Sequence, residues 1–355
     1  MTGVLRVVQP GLVTTVQDLG RTGYQRLGIP VSGALDPIAL RAANIVVGNP
    51  ETTAGLEMAV LGPTLEVEAS SVRLALAGQG TELVVERSKG DALRVPALQS
   101  VRLSRGDRVR VSVSGGSAAA YLAVEAGFDL RHFLDSLSTY VRGGFGGLDG
   151  RALQAGDALP LVRDGADARQ EVRLPGLDLG PATQVRVVLG PQDDYFTAGA
   201  IATFLAGTYT VTRDADRMGL RLEGPGLAHA KGYNIVSDGI APGSIQVPGT
   251  CQPIVLLADR QTTGGYPKIA TVISADLAAV GRLVPGLGVR FEAVSVEAAQ
   301  AARRALEADM KALAGRLSPV APEGPDLDRL YDSNLVGGVV SALAHPTEWV
   351  WLDDP

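Results

Sequence analysis

Short segments in which apolar and polar residues alternate recur along this chain, and that period of two constrains its fold more than any other feature. Residues 65–68, 72–77, 109–113, 121–125, 185–189, 209–212 and 289–291 follow it. Successive side chains of a strand point to opposite faces, so each segment reads as a half-buried strand with one face on a core. Gly or Asp turns separate them. The 44 glycines and 21 prolines supply such turns and break helix interiors, which disfavours a helical bundle. Barrels or sandwiches fit this spacing better than βαβ units.

Helices are few and well signed. Asp36 before Pro37 is an N-cap followed by proline at the first helical position, which predicts a helix over 38–47 ended by Gly48. Asp193 and Asp194 precede a second, 195–206, closed by Gly207. A third follows Ser274 and Asp276. The longest starts at Ser295 and runs to about Leu313, with Glu297 at its positive end. Residues 163–182 are polar, then rich in Gly and Pro, and read as a linker. Residues 318–328, with prolines at 319, 322 and 325, read as a second linker. Beyond it, a tail is expected to dock back through Leu335, Val339, Val340, Trp349 and Trp351.

Composition excludes several classes. A net charge of −6 and the lack of a basic tract argue against nucleic acid as a partner. No apolar stretch is long enough to span a bilayer, and the first residues have no signal-peptide pattern, so a soluble cytoplasmic protein is expected. Cys251 is the single cysteine, which leaves no intramolecular disulfide.

Chemistry concentrates in 246–268, QVPGTCQPIVLLADRQTTGGYPK. An apolar run, 254–258, opens onto Asp259, Arg260, Gln261, Thr262, Thr263, a Gly-Gly pair, Tyr266 and Lys268. Polar groups are costly to bury without partners, so this many at one strand end suits a ligand-facing loop. Lys268 and Arg260 would neutralise a carboxylate or phosphate, and Asp259 would act as base or hold Mg2+. Gln246, Gln261, Thr262, Thr263 and Tyr266 would select a small amide by hydrogen bonding. A second polar stretch, 14–36, puts Arg21, Arg26 and Ser32 on a cleft wall or on a turn-rich rim. Arg217 with Glu223 reads as a salt bridge and Asp238-Gly239 as a turn, or all three, with Asn234 and Ser237, belong to the same site as the nearby Gln246.

Other constellations have plainer readings. There is no Walker loop. Gly143, Gly144, Gly146 and Gly147 form either a tight strand connection or a phosphate loop, although no helix start follows them. His132, His229 and His345 share no metal-ligand spacing. Cys251 has no histidine beside it in sequence and reads as an inert thiol.

The stretches QDLGRTGYQRLGIPVSGALD, AANIVVGNP, RGGFGGLDGRAL, DRMGLRLEGP and GSIQVPGTCQPIVLLADRQTTGGYPKIATVISADL together resemble the KipA family. That family is also called allophanate hydrolase subunit 2, the C subunit of 5-oxoprolinase or the biotin-dependent carboxyltransferase family. The resemblance covers about residues 4–295 and implies a mainly β fold of two cyclophilin-like β-barrel lobes. With the linkers read above, the lobes fall at 1–172 and 173–294, followed by a helix at 295–317 and a linker and tail at 318–355. The family usually has glycine where this chain has Cys251, and often glutamine at Arg282.

The resemblance also implies a function. It points to one component of an ATP-dependent 5-oxoprolinase, a hydrolase that converts 5-oxo-L-proline to L-glutamate and is active only with partner subunits. The partners would be a KipI-like subunit (the B subunit of 5-oxoprolinase) and a LamB/YcsF-type subunit (its A subunit). ATP and Mg2+ would enter at the level of the complex, with no metal site on this chain. Phosphorylating the lactam oxygen would make it a leaving group. By residue type, and not by the resemblance, Asp259, Lys268 and Tyr266 would be catalytic, and Gln246, Arg260, Gln261, Thr262, Thr263, Arg217 and Arg21 would bind substrate. Two other functions stay open. One is the carboxyltransferase subunit of a urea carboxylase or allophanate hydrolase system, and the other a non-catalytic KipI-binding regulator. Met310-Lys311 lacks the second methionine and the hairpin of a biotin carrier, so no biotin is expected on this chain.

Overall fold

The period-two segments form strands in the computed structural model, which describes residues 3–88, 90, 92–113 and 116–321. One sheet has six strands in the order Ala158–Pro160, Val4–Gln9, Thr64–Val67, Arg108–Val113, Thr81–Glu86 and Ala92–Pro96. A second has five, in the order Val13–Gln17, Gly55–Ala59, Ala120–Val124, Ser71–Ala77 and Ser100–Ser104. Leu5, Val7, Leu65, Val85, Val109 and Val111 of the first sheet share one core with Val16, Leu56, Leu74, Leu76 and Leu122 of the second.

The two central strands of the five-stranded sheet depart from the half-buried expectation, because every residue of Ser71–Ala77 and Ala120–Val124 is buried. Their other face, with Ala75, Ala77, Tyr121 and Ala123, packs under helix α1 (Pro37–Val47). The first part of the chain is therefore three layers: sheet, sheet and helix. Asp36 caps α1 as the sequence requires. Its Oδ1 accepts from the N–H groups of Ile38 and Ala39, both at 3.0 Å, and Gly48 ends the helix at φ 79°.

Seven strands close the second part into a barrel: Gln184–Leu189, Lys268–Val272, Ser244–Gln246, Ile254–Leu256, Gly219–Glu223, Tyr209–Val211 and Gly288–Ala293. The closing pair, Gln184–Leu189 with Gly288–Ala293, is parallel, and the other pairs of the ring are antiparallel. Val185, Val187, Leu220, Ile245, Val255, Ile269 and Phe291 fill it.

Three helices accompany the barrel. Helix α2 is Ala198–Ala206 and starts later than expected. Asp193–Tyr195 form a separate 3-10 turn, Phe196 is extended, and the Thr197 hydroxyl caps the helix by accepting from Ala200 N–H. Helix α3 is Leu277–Gly281, and helix α4, Val296–Ala312, is capped by Ser295. Residues 163–182 are not a free linker throughout. Leu174 and Leu179 are buried with α1 and with Met310 and Leu313, and Glu171 pairs with the buried Arg73. The expected tail contacts and His345 lie outside the described residues.

Candidate functional site

The polar segment 246–268 runs over one end of the barrel. Gln246 ends strand Ser244–Gln246, and the chain leaves the barrel after Leu256. It then pairs briefly as Thr263–Gly264 with Asp238–Gly239, and re-enters at Lys268. Strand alternation sends neighbouring side chains of such a segment to different sides. The chemistry foreseen for one loop is accordingly divided among several surroundings.

Gln246, Gln261 and Tyr266 share a cleft of about 420 Å3, together with Arg142, Asp216, Arg221 and Thr250. Gln246 is buried, Gln261 half-buried and Tyr266 exposed at the rim. Gln261 Nε2 donates to Gln246 Oε1 at 3.3 Å, and Gln246 Nε2 donates to the Tyr266 carbonyl at 3.4 Å. These bonds are long, so a ligand amide with its own donor and acceptor could replace them at small cost. Arg142 reaches across from outside the barrel to pair with Asp216 at 3.0 Å. Thr262 and Thr263 do not line this cleft. The Thr262 carbonyl accepts from Ile240 N–H, and Thr263 sits in the short strand pair.

Asp259 is held on another face. Arg217 Nε and Nη2 donate to its two carboxylate oxygens at 2.8 and 3.2 Å. Arg217 also donates to the Gly33 carbonyl and to Glu57 of strand Gly55–Ala59. Glu57 in turn accepts from Tyr121 Oη at 2.6 Å and from Leu35 N–H at 2.9 Å. Burial alone would lower the Arg217 pKa, but the Glu57 and Asp259 carboxylates outweigh it and hold it well above its ordinary value. Burial, then Glu57 and Asp36, push the Tyr121 phenol well above 10. The network joins the barrel to the five-stranded sheet. It occupies both Asp259 carboxylate oxygens with one guanidinium.

Lys268 is 1 % exposed, and its ammonium donates to Asp238 Oδ2 at 2.7 Å and to the Gly239 carbonyl at 3.4 Å. That hydrogen bond, the Gly239 N–H and the ammonium charge hold the Asp238 carboxyl below its usual range. Gln192 tightens the corner, donating from Nε2 to Asp238 and accepting from Lys268 N–H. The sequence offers Asp238 as a turn residue or a member of this site, and does not show that Lys268 is its partner.

Among the described residues, two guanidiniums are buried without a carboxylate partner. Arg21 donates from Nη2 to the Ser138 carbonyl and lies 5.1 Å from the Phe145 ring centroid, while Nε and Nη1 have no partner. Burial lowers its pKa against the pull of Asp18 and Asp259. Arg260 donates to the carbonyls of Ile240 and Leu257, both at 3.2 Å, and burial pushes its pKa down to about 10.

The glycine run leads into no helix. Residues 141–143 form a 3-10 turn and Tyr140 pairs with Phe145. A Cβ on Gly146 would lie 2.0 Å from the Ser138 carbonyl, so close packing accounts for that glycine. Among the described residues no three His, Cys, Asp or Glu side chains gather as a metal site, and no helix is long and apolar enough to cross a membrane. Sequence distance hid one contact: His229 Nδ1 lies 4.0 Å from Cys251 Sγ, with His229 Nε2 on the Val247 carbonyl.

Residues 27–293 match the carboxyltransferase domain, subdomain A and B. The chain is 35% identical over 315 residues to the C subunit of 5-oxoprolinase from Escherichia coli strain K12, covering 88% of this chain and 99% of that one. The crystal structure of TTHA0988 superposes with a TM-score of 0.73 at 35% identity, over 82% of this chain and 56% of that one. The Kluyveromyces lactis urea amidolyase superposes with a TM-score of 0.79 at 26% identity, over 92% of this chain and 22% of that one. This chain thus spans about half of TTHA0988 and under a quarter of the amidolyase.

Proposed function

The chain belongs to the carboxyltransferase-domain family, subdomains A and B, and from that premise we propose that it is the C-type subunit of an ATP-dependent 5-oxoprolinase. Such a complex hydrolyses 5-oxo-L-proline to L-glutamate. The observation that carries this reading is the extent of the correspondence. A 35% identity runs through 99% of the E. coli 5-oxoprolinase C subunit, whereas the chain covers only a fraction of the amidolyase. The KipI-like and LamB/YcsF-type subunits are the partners in this reading, and the cytoplasm is its compartment.

The cleft around Gln246 and Gln261 supports a small amide as ligand. A lactam presents one carbonyl acceptor and one N–H donor, and the two side-chain amides offer the complementary groups. Tyr266 at the rim supplies a phenol for proton transfer, and Arg142 a cation for the substrate carboxylate. Asp259 positions the loop through Arg217, and the Lys268–Asp238 pair fixes its far end. ATP and Mg2+ belong to the complex. The glycines at 143–147 lack the helix start of a phosphate cradle, so no step is assigned to nucleotide on this chain. This reading assigns no biotin to this chain, and Lys311 lies within helix α4.

A urea-carboxylase type of carboxyl transfer is the second reading, favoured by the superposition on the amidolyase. Reconstitution with the two partner subunits separates the two. Hydrolysis of ATP that depends on 5-oxoproline and releases glutamate is expected. No turnover with well-folded partners overturns the first reading, and carboxylation of urea by an added biotinylated carrier establishes the second.

A further inference from the structure

One wall of the Gln246–Gln261 cleft is the outer face of the barrel, and a single row of side chains crosses it. In the strand pairing Arg221 stands opposite Ile254, and Ile254 stands opposite Gln246. Directly opposed residues lie on one face of a sheet with their Cβ atoms about 5 Å apart. Their neighbours Leu220, Val255 and Ile245 turn the other way, into the barrel core. The row therefore reads guanidinium, aliphatic chain, carboxamide, and all three residues line the cleft. Arg221 is exposed and Ile254 half-buried.

The charge of Arg221 is unmatched. Arg142, Asp216 and Arg221 are the charged residues that line the cleft. Arg142 and Asp216 are paired at 3.0 Å, whereas Arg221 has no ion-pair or side-chain hydrogen-bond partner among the described residues. The cleft thus carries one net positive charge, which one carboxylate would neutralise. The order of groups along the row fits a five-membered lactam acid. Such a ligand would put its amide on Gln246, its ring face over Ile254 and its carboxylate toward Arg221.

We infer that Arg221 is a specificity-determining residue of this cleft, the cation that selects lactams bearing a carboxylate from neutral ones. This role rests on the 5-oxoprolinase function proposed above. An exposed guanidinium gives little affinity alone, but a ligand already held by its amide presents its carboxylate at a high local concentration. Arg142 is shared with Asp216, so Arg221 supplies the net charge. The reconstituted complex tests the role through KM for 5-oxoproline and through Ki of its neutral counterpart, 5-oxoprolinamide, as a competitor. Arg221→Gln is expected to raise KM about tenfold, with kcat and the carboxamide's Ki each changing by less than about twofold. The variant should melt with the wild type, because Arg221 is exposed. A wild-type KM in Arg221→Gln, or an equal rise in the carboxamide's Ki, would overturn this role and leave the 5-oxoprolinase function standing. No 5-oxoproline turnover by the wild-type complex would overturn that function and this role with it.

Discussion

Arg217 grips both carboxylate oxygens of Asp259, at 2.8 and 3.2 Å, and the same guanidinium reaches out of the barrel to Glu57. Both carboxylates are 6 % exposed, so neither has water to fall back on. Removing one member of a buried ion pair leaves an uncompensated charge, which typically costs about 3–5 kcal/mol. Arg217→Met is therefore expected to lower unfolding free energy by about that amount in urea titrations. Adding Glu57→Gln should recover part of the loss, since one stranded charge is then gone. A loss under about 1 kcal/mol would mean that water reaches these groups.

Lys268 and Asp238 form an unequal pair: the ammonium is buried and the carboxylate about half exposed. Asp238→Asn strands a buried charge, whereas Lys268→Met leaves a carboxylate that water can solvate. The first should therefore lower the melting temperature more than the second. The pH dependence follows from the depressed Asp238 pKa. The pair's contribution is complete above the ordinary aspartate value of about 3.9 and is lost as pH falls through the lower folded-state value. Lys268→Met should flatten this acid limb of the stability profile.

Cys251 adopts φ 60°, a left-handed conformation that costs an L residue about 1–2 kcal/mol. Glycine avoids that cost but loses about 0.5–1 kcal/mol more entropy on folding. Among the described residues its thiol has long polar contacts only, 4.0 Å to His229 and 3.8 Å to the Gly249 carbonyl. Cys251→Gly is thus expected to stabilise the chain by up to about 1.5 kcal/mol in thermal denaturation. Destabilisation beyond about 1 kcal/mol would show that the thiol packing outweighs the backbone.

Elements governed by local pattern were legible in the sequence. Alternation found Arg108–Val113 and Gly288–Ala293, and Asp36-Pro37 with Gly48 marked both ends of helix α1. Burial of both faces of Ala120–Val124 was not, because α1 covers it from a distant part of the chain. The site divided along the same line. The polar segment 246–268 was recognisable by composition, but its pairing with Glu57 and Asp238 was not, since register and the barrel's closure bring them in. Glu57 left one local sign, an acid within the otherwise apolar strand Gly55–Ala59.

The Gln246–Gln261 pair gives the sharpest test of the proposed substrate contact. If the two amides bind the lactam, each truncation removes a hydrogen bond and leaves a ligand group unpaired, worth about 1–3 kcal/mol. In the reconstituted complex, Gln246→Leu and Gln261→Ala should each lower kcat/KM for 5-oxoproline by about 10- to 100-fold. Because the amides already touch each other at 3.3 Å, the effects should not add, and the double variant should lose less than the product of the two. Assembly of the complex, followed by size-exclusion chromatography, should be unchanged, since Gln246 is buried within this chain. Wild-type kcat/KM in both variants would move the substrate out of this cleft.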